Sequence, residues 1–566
     1  MRNYLYFSFA LATSVAMTSC SKMGALSADN FTVTPSPLEA VANKVPATIN
    51  GRFPEKYLKK KAVVTVTPVL KYEGGQTTGQ GATFQGEKVE GNDQTISYKV
   101  GGNYTMKTSF GYVPEMEKSE LYLTFDAKVG KKTVKIPEVK VADGVLSTSA
   151  LLGRTLASAN PSLAADAYEH IIKQKQEANI KFLIQQANIR NSELKSTSIK
   201  QFIQTLRDIN ADKERKALNN IEVSAYASPD GGMTLNTKLA AQREKSSSKY
   251  VNTELKKNKI ETNVDTKYTA EDWEGFQELV SASNIQDKEV ILRVLSMYQD
   301  PEEREKQIRN ISTAFRELAD EILPQLRRSR LSINYELIGR SDDEIQEQFK
   351  VDATKLSIEE MLYAATLTEN ANEQETIYKK TTEIYPNDYR AFNNLADLAY
   401  RNGNLSAAKG YLAQASRINT NASEVNVNMG MIALKEGNVQ AAETYFAKGS
   451  GANTLNEALG NMNIAKGNYA QAVSNFQGVK TNSAALAQIL NKDYSSAEST
   501  LNSVKNADAM TSYLKAIVAI RTNNTSVAIS NLSNAIQKDP SLKGYASKDL
   551  EFAKIASDAA FQNLVK

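Results

Sequence analysis

The pattern of apolar and polar positions changes character along the chain, and its first part has the short period of β-strands. Between residues 30 and 148, β-branched and aromatic residues form short runs at 62–67, 96–100, 121–125 and 139–141, which predict strands. Glycine pairs and Gly-Asn steps between them predict turns. This pattern predicts a β-sandwich-like domain over 30–148 that serves as a spacer. The run 59–61 of three lysines there is either a basic patch or a solvated charge run.

A second part, residues 150–345, alternates between strand and helix patterns. Runs at 180–184, 221–226 and 331–337 predict strands, and 198–216 and 236–255 predict helices. Apolar residues recur at helical spacing in the first helix, at Ile199, Phe202, Ile203, Leu206 and Ile209. A helical insertion is predicted over 300–328, before the last strand. The order of elements predicts an α+β sandwich.

The stretch 221–250 of this part resembles the second strand and following helix of an OmpA-like domain. The resemblance is carried by Asn236, Leu239 and Arg243. In that family an Asp after the strand and the helix Arg bind the ammonium and carboxylate of the diamino acid in peptidoglycan. A zwitterion needs one anion and one bidentate cation held close together. Here the family Asp position falls on Ser228, and Asp230 follows two residues later.

Two outcomes stay open for this motif. If Asp230 turns back toward Arg243, a modified peptidoglycan site that includes Ser228 and Asn236 survives. If it does not, the ligand ammonium is left unpaired, which is enough to abolish binding. Arg243 is then a helix-surface residue that pairs with Glu244 or another carboxylate.

The third part, residues 351–566, repeats with a period of 34. Small and apolar positions recur at this shift, in the order Leu395, Ala396, Ala399, Gly403, Ala408, Leu412, Ala415 and then Met429, Gly430, Ala433, Gly437, Ala442, Phe446, Gly449. This period and these residue classes resemble tetratricopeptide repeats. The resemblance implies an all-α solenoid of about six repeats, two of them shortened, with a final capping helix over 547–565.

Such a solenoid presents a concave groove to a peptide or protein segment. Asn393, Asn394, Asn426 and Asn428 fall on the first helix of their repeats, where the family often lines its groove. Asparagine amides are able to clamp a peptide backbone. The alternative is that they are solvated or cap neighbouring turns.

The first twenty residues have the pattern of a targeting segment. One arginine precedes a short apolar stretch that ends at Cys20, the only cysteine of the chain. The segment resembles a bacterial lipoprotein signal, with 1–19 removed, Cys20 acylated and 20–29 a lipidated linker. The alternative is an ordinary secretory signal. Ser21 favours the outer membrane by family analogy, and the lack of an acidic run after Cys20 favours its periplasmic face over the cell surface.

Composition narrows the function further. The 566 residues contain 68 Lys and Arg against 64 Asp and Glu, a net charge of +4, which argues against a nucleic-acid partner. One His and one Cys argue against metal centres and against the usual nucleophile triads. No phosphate loop or nucleophile elbow is present. We therefore expect a non-enzymatic protein without catalytic residues, metal or cofactor.

These expectations combine into two hypotheses of function. The first is an outer-membrane lipoprotein that acts as a protein-interaction scaffold in an envelope complex, with unidentified envelope proteins as partners of its repeats. The second is a cell-wall tether that binds peptidoglycan through the OmpA-like domain.

Overall fold

The computed structural model describes residues 23–285, 287–310 and 316–566. The predicted signal 1–19 and Cys20 lie outside the described residues. The described chain forms two compact units. The discontinuous unit comprises residues 23–165 and 368–566, and the central unit comprises residues 166–367.

The discontinuous unit begins with ten strands. They are β1 (Phe31–Thr34), β2 (Lys44–Phe53), β3 (Ala62–Tyr72), β4 (Gly75–Thr78), β5 (Ala82–Gly86), β6 (Gln94–Ile96), β7 (Gly102–Gly111), β8 (Ser119–Val129), β9 (Lys132–Lys135) and β10 (Val139–Gly144). One sheet has the order β1-β2-β7. The other has the order β10-β8-β3-β5-β6, with β4 added to β3 and β9 to β8. All pairs are antiparallel except β5 with β6.

Both sheets contribute to one hydrophobic core. Alternate residues point inward along each strand, as in β2, where Ile49 and Phe53 are fully buried, and β3, where Val64 and Val66 are. The N-terminal sheets were predicted, but the run 96–100 is not a strand, because β6 ends at Ile96 and the chain then turns into β7.

The chain leaves these sheets through a short helix. A 3-10 turn at Thr148–Leu151 is followed by α1 (Leu152–Thr155), and residues 159–165 are extended. Leu151, Leu152 and Leu156 are buried in the core of the C-terminal helices.

The central unit has a four-stranded sheet with helices against one face. Its elements are β11 (Ile171–Lys181), α2 (Asn191–Leu194), α3 (Thr197–Ala211), β12 (Lys216–Tyr226), α4 (Met233–Lys257), β13 (Val264–Thr269), α5 (Trp273–Ala282), α6 (Lys288–Met297), α7 (Pro301–Asn310), α8 (Leu323–Leu326), β14 (Arg328–Ile338), α9 (Asp342–Asp352) and α10 (Ile358–Ala364). The strand order is β11-β14-β12-β13, and only β12 and β13 are parallel. Helices α3 and α4 share one core with β11, β12 and β14.

Two predictions for this unit are wrong in their bounds. The first strand is not 180–184, because β11 ends at Lys181 and begins ten residues earlier. Every residue of β11 pairs with β14, although most side chains in the first half of β11 are exposed. The helical insertion begins at Trp273 rather than residue 300, and α5, α6 and the 318–326 region form a hydrophobic cluster of their own.

The rest of the discontinuous unit is helical. Its helices are α11 (Ala371–Ile384), α12 (Tyr389–Arg401), α13 (Leu405–Ile418), α14 (Ser423–Lys435), α15 (Val439–Phe446), α16 (Leu455–Ala465), α17 (Tyr469–Asn475), α18 (Asn482–Leu490), α19 (Tyr494–Asn502), α20 (Ala509–Arg521), α21 (Thr525–Lys538), α22 (Leu542–Ala546) and α23 (Ala559–Val565). Residues 389–538 form five packed helix pairs, α12 with α13 through α20 with α21. None of the described helices is both long and apolar enough to span a bilayer.

The same turn closes the first helix of each pair. Gly403, Gly437 and Gly467 adopt φ of +74°, +77° and +77°, conformations that glycine adopts without strain. The next residue then caps the second helix, as where Asn404 accepts a hydrogen bond from the Ala407 N–H at 3.0 Å.

Glycines also let paired helices approach closely. A Cβ on Gly430 would overlap the ring of Phe446, and one on Gly460 would lie 2.6 Å from the ring of Phe476. The large residue of the second helix therefore occupies space that the first helix leaves empty. This explains the alternation of small and large residues at the repeat period.

The predicted single helix over 547–565 is wrong. The segment forms a 3-10 helix at Leu550–Ile555 and then α23. Asp549 and Asp558 each cap the start of a new helix, because each accepts a hydrogen bond from a backbone N–H of the turn that follows. Such caps compete with continuation of a helix.

We predict that Gly430→Ala destabilises the discontinuous unit by about 1–3 kcal/mol, because the added methyl group overpacks the contact with Phe446. The matched control is Gly410→Ala in α13, where a Cβ meets nothing within 4 Å. That change is expected to stabilise by up to about 1 kcal/mol, since alanine favours helix. Urea unfolding measures both, and equal effects of the two changes would contradict the packing argument.

Candidate peptide groove

The first helices of the five pairs line a groove in the discontinuous unit. These groove helices are α12, α14, α16, α18 and α20. The groove is occupied by the chain itself, in the segment 158–165, which we call the clamp segment and which is extended from residue 159 onward. It runs against the order of the repeats, from α18 at residue 158 to α12 at residue 164.

Two asparagines hold the backbone of the clamp segment. Asn394 accepts a hydrogen bond from the Ala164 N–H at 2.9 Å and donates to the Ala164 carbonyl at 3.0 Å. Asn428, one period later, accepts from the Ser162 N–H at 3.1 Å and donates to the Ser162 carbonyl at 2.9 Å. Each carboxamide therefore satisfies both backbone groups of one residue, as a neighbouring β-strand does.

A third groove helix continues this arrangement with a carboxylate. Glu457 on α16 accepts the Asn160 N–H at 3.0 Å and the Asn160 side-chain amide at 2.8 Å. Burial raises the pKa of Glu457, and the two hydrogen bonds from Asn160 oppose that rise. Residues 160, 162 and 164 face the helices while Leu163 between them is 48% exposed, which is the two-residue period of extended backbone.

The remaining two predicted groove residues differ from each other. Asn393 donates to the Ser162 carbonyl at 2.8 Å and accepts from Asn428 at 3.0 Å, so it belongs to the clamp. Asn426 does not, because its amide donates to the Thr420 and Ala422 carbonyls and braces the turn before α14. For Asn426 the alternative of capping a turn describes the structure.

The groove continues past the clamp segment with side-chain contacts. Ser483 on α18 lies 2.9 Å from the Thr155 hydroxyl. At the far end, Thr148 donates to Glu551, which also forms an ion pair with Arg521 at 2.5 Å. These contacts join the strand domain to the last repeat.

A buried acid lies beside this end. Asp549 accepts from the Tyr513 hydroxyl at 2.7 Å and from the Glu551 N–H at 2.9 Å. Burial, and second the neighbouring charge of Glu551, raise the pKa of Asp549 to about 7.

The residues of the predicted peptidoglycan motif lie in the central unit, and the guanidinium of Arg243 is hydrogen-bonded to protein groups there. Its guanidinium donates to the carbonyls of Tyr226, Gln186 and Leu183, at 2.8, 2.9 and 3.3 Å. The residue is 1% exposed. Burial, and then the neighbouring Arg327, lower the pKa of Arg243 to about 10, so it remains a cation at neutral pH. It does not pair with Glu244, whose carboxylate accepts from Ser248.

The other three motif residues form a separate network. Asp230 accepts from Ser228 and pairs with Arg327 at 2.9 Å. Asn236 donates to the carbonyls of Ser228 and Gly231 at 3.0 and 2.6 Å and thereby fixes the turn. Asp230 therefore has a different cation as its partner, and this arrangement presents no carboxylate and guanidinium turned together toward a zwitterion.

Sequence reasoning missed both the ligand of the groove and part of its lining. Glu457 lies 29 residues after Asn428, in a shortened repeat, so the 34-residue shift does not reach it. The clamp segment itself, Ser-Ala-Asn-Pro-Ser-Leu-Ala-Ala, has small residues at positions 158, 162 and 164, which is its only local signal.

Within residues 23–285, 287–310 and 316–566, no group of three His, Cys, Asp or Glu side chains is arranged to hold an ion.

Comparison with known proteins gives similarity to solved structures, which include repeat proteins. No family model matches the sequence. No curated protein matches it either.

Two similar structures cover less than half of this chain. One is a tetratricopeptide repeat protein from Parabacteroides merdae, 11% identical, with a TM-score of 0.29, covering 44% of this chain and 99% of that one. Another is pilF of Pseudomonas aeruginosa, 16% identical, with a TM-score of 0.27, covering 39% and 100%. A third, Cut9 with Hcn1 from an APC/C hetero-tetramer, is 13% identical with a TM-score of 0.27, covering 65% and 83%. The assignment of tetratricopeptide-like repeats accordingly rests on the helix pairs of this chain.

We predict that Asn394→Ala combined with Asn428→Ala lowers the free energy of unfolding by about 2–5 kcal/mol, because buried backbone groups of Ser162 and Ala164 lose their partners. Hydrogen exchange should show the amides of those two residues losing protection before the helices do. The control is Asn402→Ala, at an exposed helix end, with an effect within about 0.5 kcal/mol. Unchanged exchange at residues 162 and 164 would contradict the clamp.

We predict that Asp549→Asn removes a pH dependence of stability. The folded pKa is about 7 and the ordinary value is 3.8, so the acid contributes stability that is fully present below about pH 4 and is lost as the pH rises to 7. The wild type should therefore lose up to about 4 kcal/mol relative to the variant across this window. Urea unfolding at several pH values measures it. The surface cap change Asp558→Asn is the control, and parallel curves for wild type and Asp549→Asn would refute the assignment.

Proposed function

We propose that this protein is an outer-membrane lipoprotein that acts as a non-enzymatic scaffold for other envelope proteins. Its anchor is an acyl group on Cys20, on the periplasmic face of the membrane. Its partner-binding part is the block of helical repeats.

The proposal is supported by the helix pairs, which hold one extended segment of polypeptide, the chain's own clamp segment, and leave their other faces for partners. A groove that satisfies every second residue of an extended polypeptide through Asn394, Asn428 and Glu457 is a device for holding protein chains. In this molecule it holds the chain's own segment, and thereby fixes the strand domain to the repeats as one unit. The groove therefore has a structural role, and we assign partners to the other faces of the repeats.

One such face has a suitable cleft. Helices α19, α20 and α21 enclose an open space of about 300 Å³, lined by Glu498, Lys515, Val527 and Asn531 among others. Val527 is 43% exposed. The cleft combines an exposed apolar residue with charges of both signs around it. This is the composition of an ordinary protein–protein interface, so the cleft suits a protein partner.

The second hypothesis, a peptidoglycan tether, receives less support from the same structure. It requires Arg243 and a carboxylate to face a ligand together. Arg243 instead donates to three backbone carbonyls and Asp230 pairs with Arg327. The arrangement of the charged groups therefore favours the scaffold.

The test is site-specific photo-crosslinking in intact cells with the full chain. A photoreactive residue at position 527 should give discrete adducts with one or a few envelope proteins, and the same residue at position 402, also exposed, should not. In the same cells, wild-type protein should remain with salt-washed membranes and Cys20→Ser protein should not. Equal labelling from both positions, or none from 527, would refute the use of this face, and membrane retention of Cys20→Ser would refute the anchor.

A further inference from the structure

The loops at one end of the strand domain carry a concentration of lysines. Three segments meet there, 54–61, 87–101 and 128–132. Strand register places them together, because Phe53 pairs with Gly102 and Ala62 pairs with Val129. The three segments contain nine lysines and four acidic residues. We call this surface the basic end.

Backbone contacts tie the three segments closely. The Gly130 N–H donates to the Lys61 carbonyl at 3.0 Å, and the Lys88 N–H donates to the Lys60 carbonyl at 2.7 Å. Lys60, Lys61 and Lys88 are exposed. Lys128, Lys131 and Lys132 at the tip of the β8-β9 hairpin are exposed too. The sequence alone indicated only the run 59–61. The fold adds the lysines of the other two segments, which roughly doubles the positive charge at this end of the domain.

The acidic residues of the basic end neutralise only part of it. Glu55 lies 3.6 Å from Lys56, and Glu87 lies 4.0 Å from Lys60 while accepting from Ser97. Both pairs are solvent-exposed, and pairs of this kind contribute little. The other two acids, Glu90 and Asp93, lie on the same loop. The surface keeps a clear positive excess.

An apolar residue stands among the lysines. Val100 is 72% exposed, next to Lys99. Basic residues around an exposed apolar side chain are the composition of surfaces that lie on anionic bilayers.

The described part of the chain begins at this same end. Tyr57, in the first lysine segment, donates to the Gly24 carbonyl at 2.7 Å, and Met23 is buried in the domain core. β1 also begins here, since Phe31 pairs with Gly51 near the end of β2.

We propose that the basic end is a docking surface for an anionic phospholipid bilayer. The inference rests on the proposed lipid anchor for its physiological context, and it adds a second contact at the same place. The acyl group holds the protein to the bilayer, and the lysines orient the strand domain with its loops 54–61, 87–101 and 128–132 on the headgroups. Residues 143–147, at the opposite end of the strands, then lead the chain away from the membrane into the repeats.

The test uses full-length Cys20→Ser protein, which carries no acyl group, with vesicles sedimented after mixing. Vesicles of phosphatidylglycerol and phosphatidylcholine in equal parts should bind it at low ionic strength, and pure phosphatidylcholine vesicles should not. Binding should weaken as salt rises to 0.5 M, because the Debye length falls. Lys60→Glu with Lys131→Glu should weaken binding by about tenfold or more.

The matched control places the same charge change elsewhere, as Lys238→Glu with Lys245→Glu, two exposed positions on α4. The proposal would be overturned if both double variants lost binding equally or if the wild-type surface did not bind the anionic vesicles. Binding to soluble polyphosphate that the vesicles fail to displace would also overturn it. Failure of the anchor is read separately, from the mass of the N-terminal peptide of wild-type protein. An unacylated Cys20 with intact vesicle binding would refute the lipoprotein and leave the basic end standing.

Discussion

The discontinuous unit depends on one requirement, that the polar backbone of a buried extended segment finds hydrogen-bond partners. An extended chain in a helical groove has no neighbouring strand, and a buried unsatisfied N–H or carbonyl costs about 1–3 kcal/mol. Asn394 and Asn428 meet the requirement because a carboxamide offers one donor and one acceptor, at the spacing of a peptide unit. Successive groove helices thereby act together as the missing strand.

This solution has a consequence for what the groove recognises. The contacts at residues 160, 162 and 164 go mainly to backbone atoms, the side chains of Ser162 and Ala164 are small, and Asn160 adds one side-chain hydrogen bond to Glu457. Leu163 points away. Recognition of this kind depends on an extended backbone and small side chains more than on a particular sequence. The strength of the contact therefore comes from the clamp segment and the groove being parts of the same chain. The local concentration of a tethered segment exceeds that of any free peptide, which is why we assign the groove to architecture and the outer faces to partners.

Sequence reasoning succeeded where a period repeats and failed where an element takes its stability from a distant partner. The 34-residue shift located Gly430 and Phe446 and placed Asn394 and Asn428 in the groove, because those positions repeat the same local packing. It was silent on the clamp segment, whose residues 158–165 have no pattern of their own. β11 was misplaced for the same reason, since its first half lacks buried side chains and is held by pairing with β14.

The arginine motif shows a different limit. Arg243 has the spacing of the family residue, but spacing fixes only the helix face on which it lies. Whether the guanidinium meets a ligand depends on the loops above it, and here the carbonyls of Leu183 and Gln186 come from the chain after β11. Arg327, which follows the helical insertion, takes the carboxylate that Arg243 would need. Of these two cations, Arg327 pairs with the acid and Arg243 is satisfied by backbone carbonyls.

The position of the central unit in the sequence adds a constraint on the clamp. Residues 166–367 separate the clamp segment from α12, so closing it joins positions about 230 residues apart. The entropic cost of such closure grows only slowly with length, but the contact cannot form before the repeats exist. Ala164 is hydrogen-bonded to Asn394 of α12, and α11, the first helix after the central unit, packs against α12. The chain therefore leaves and re-enters the discontinuous unit at the same repeat, and loosening the clamp at Asn394 releases only the outgoing connection, while α11 still holds the returning one.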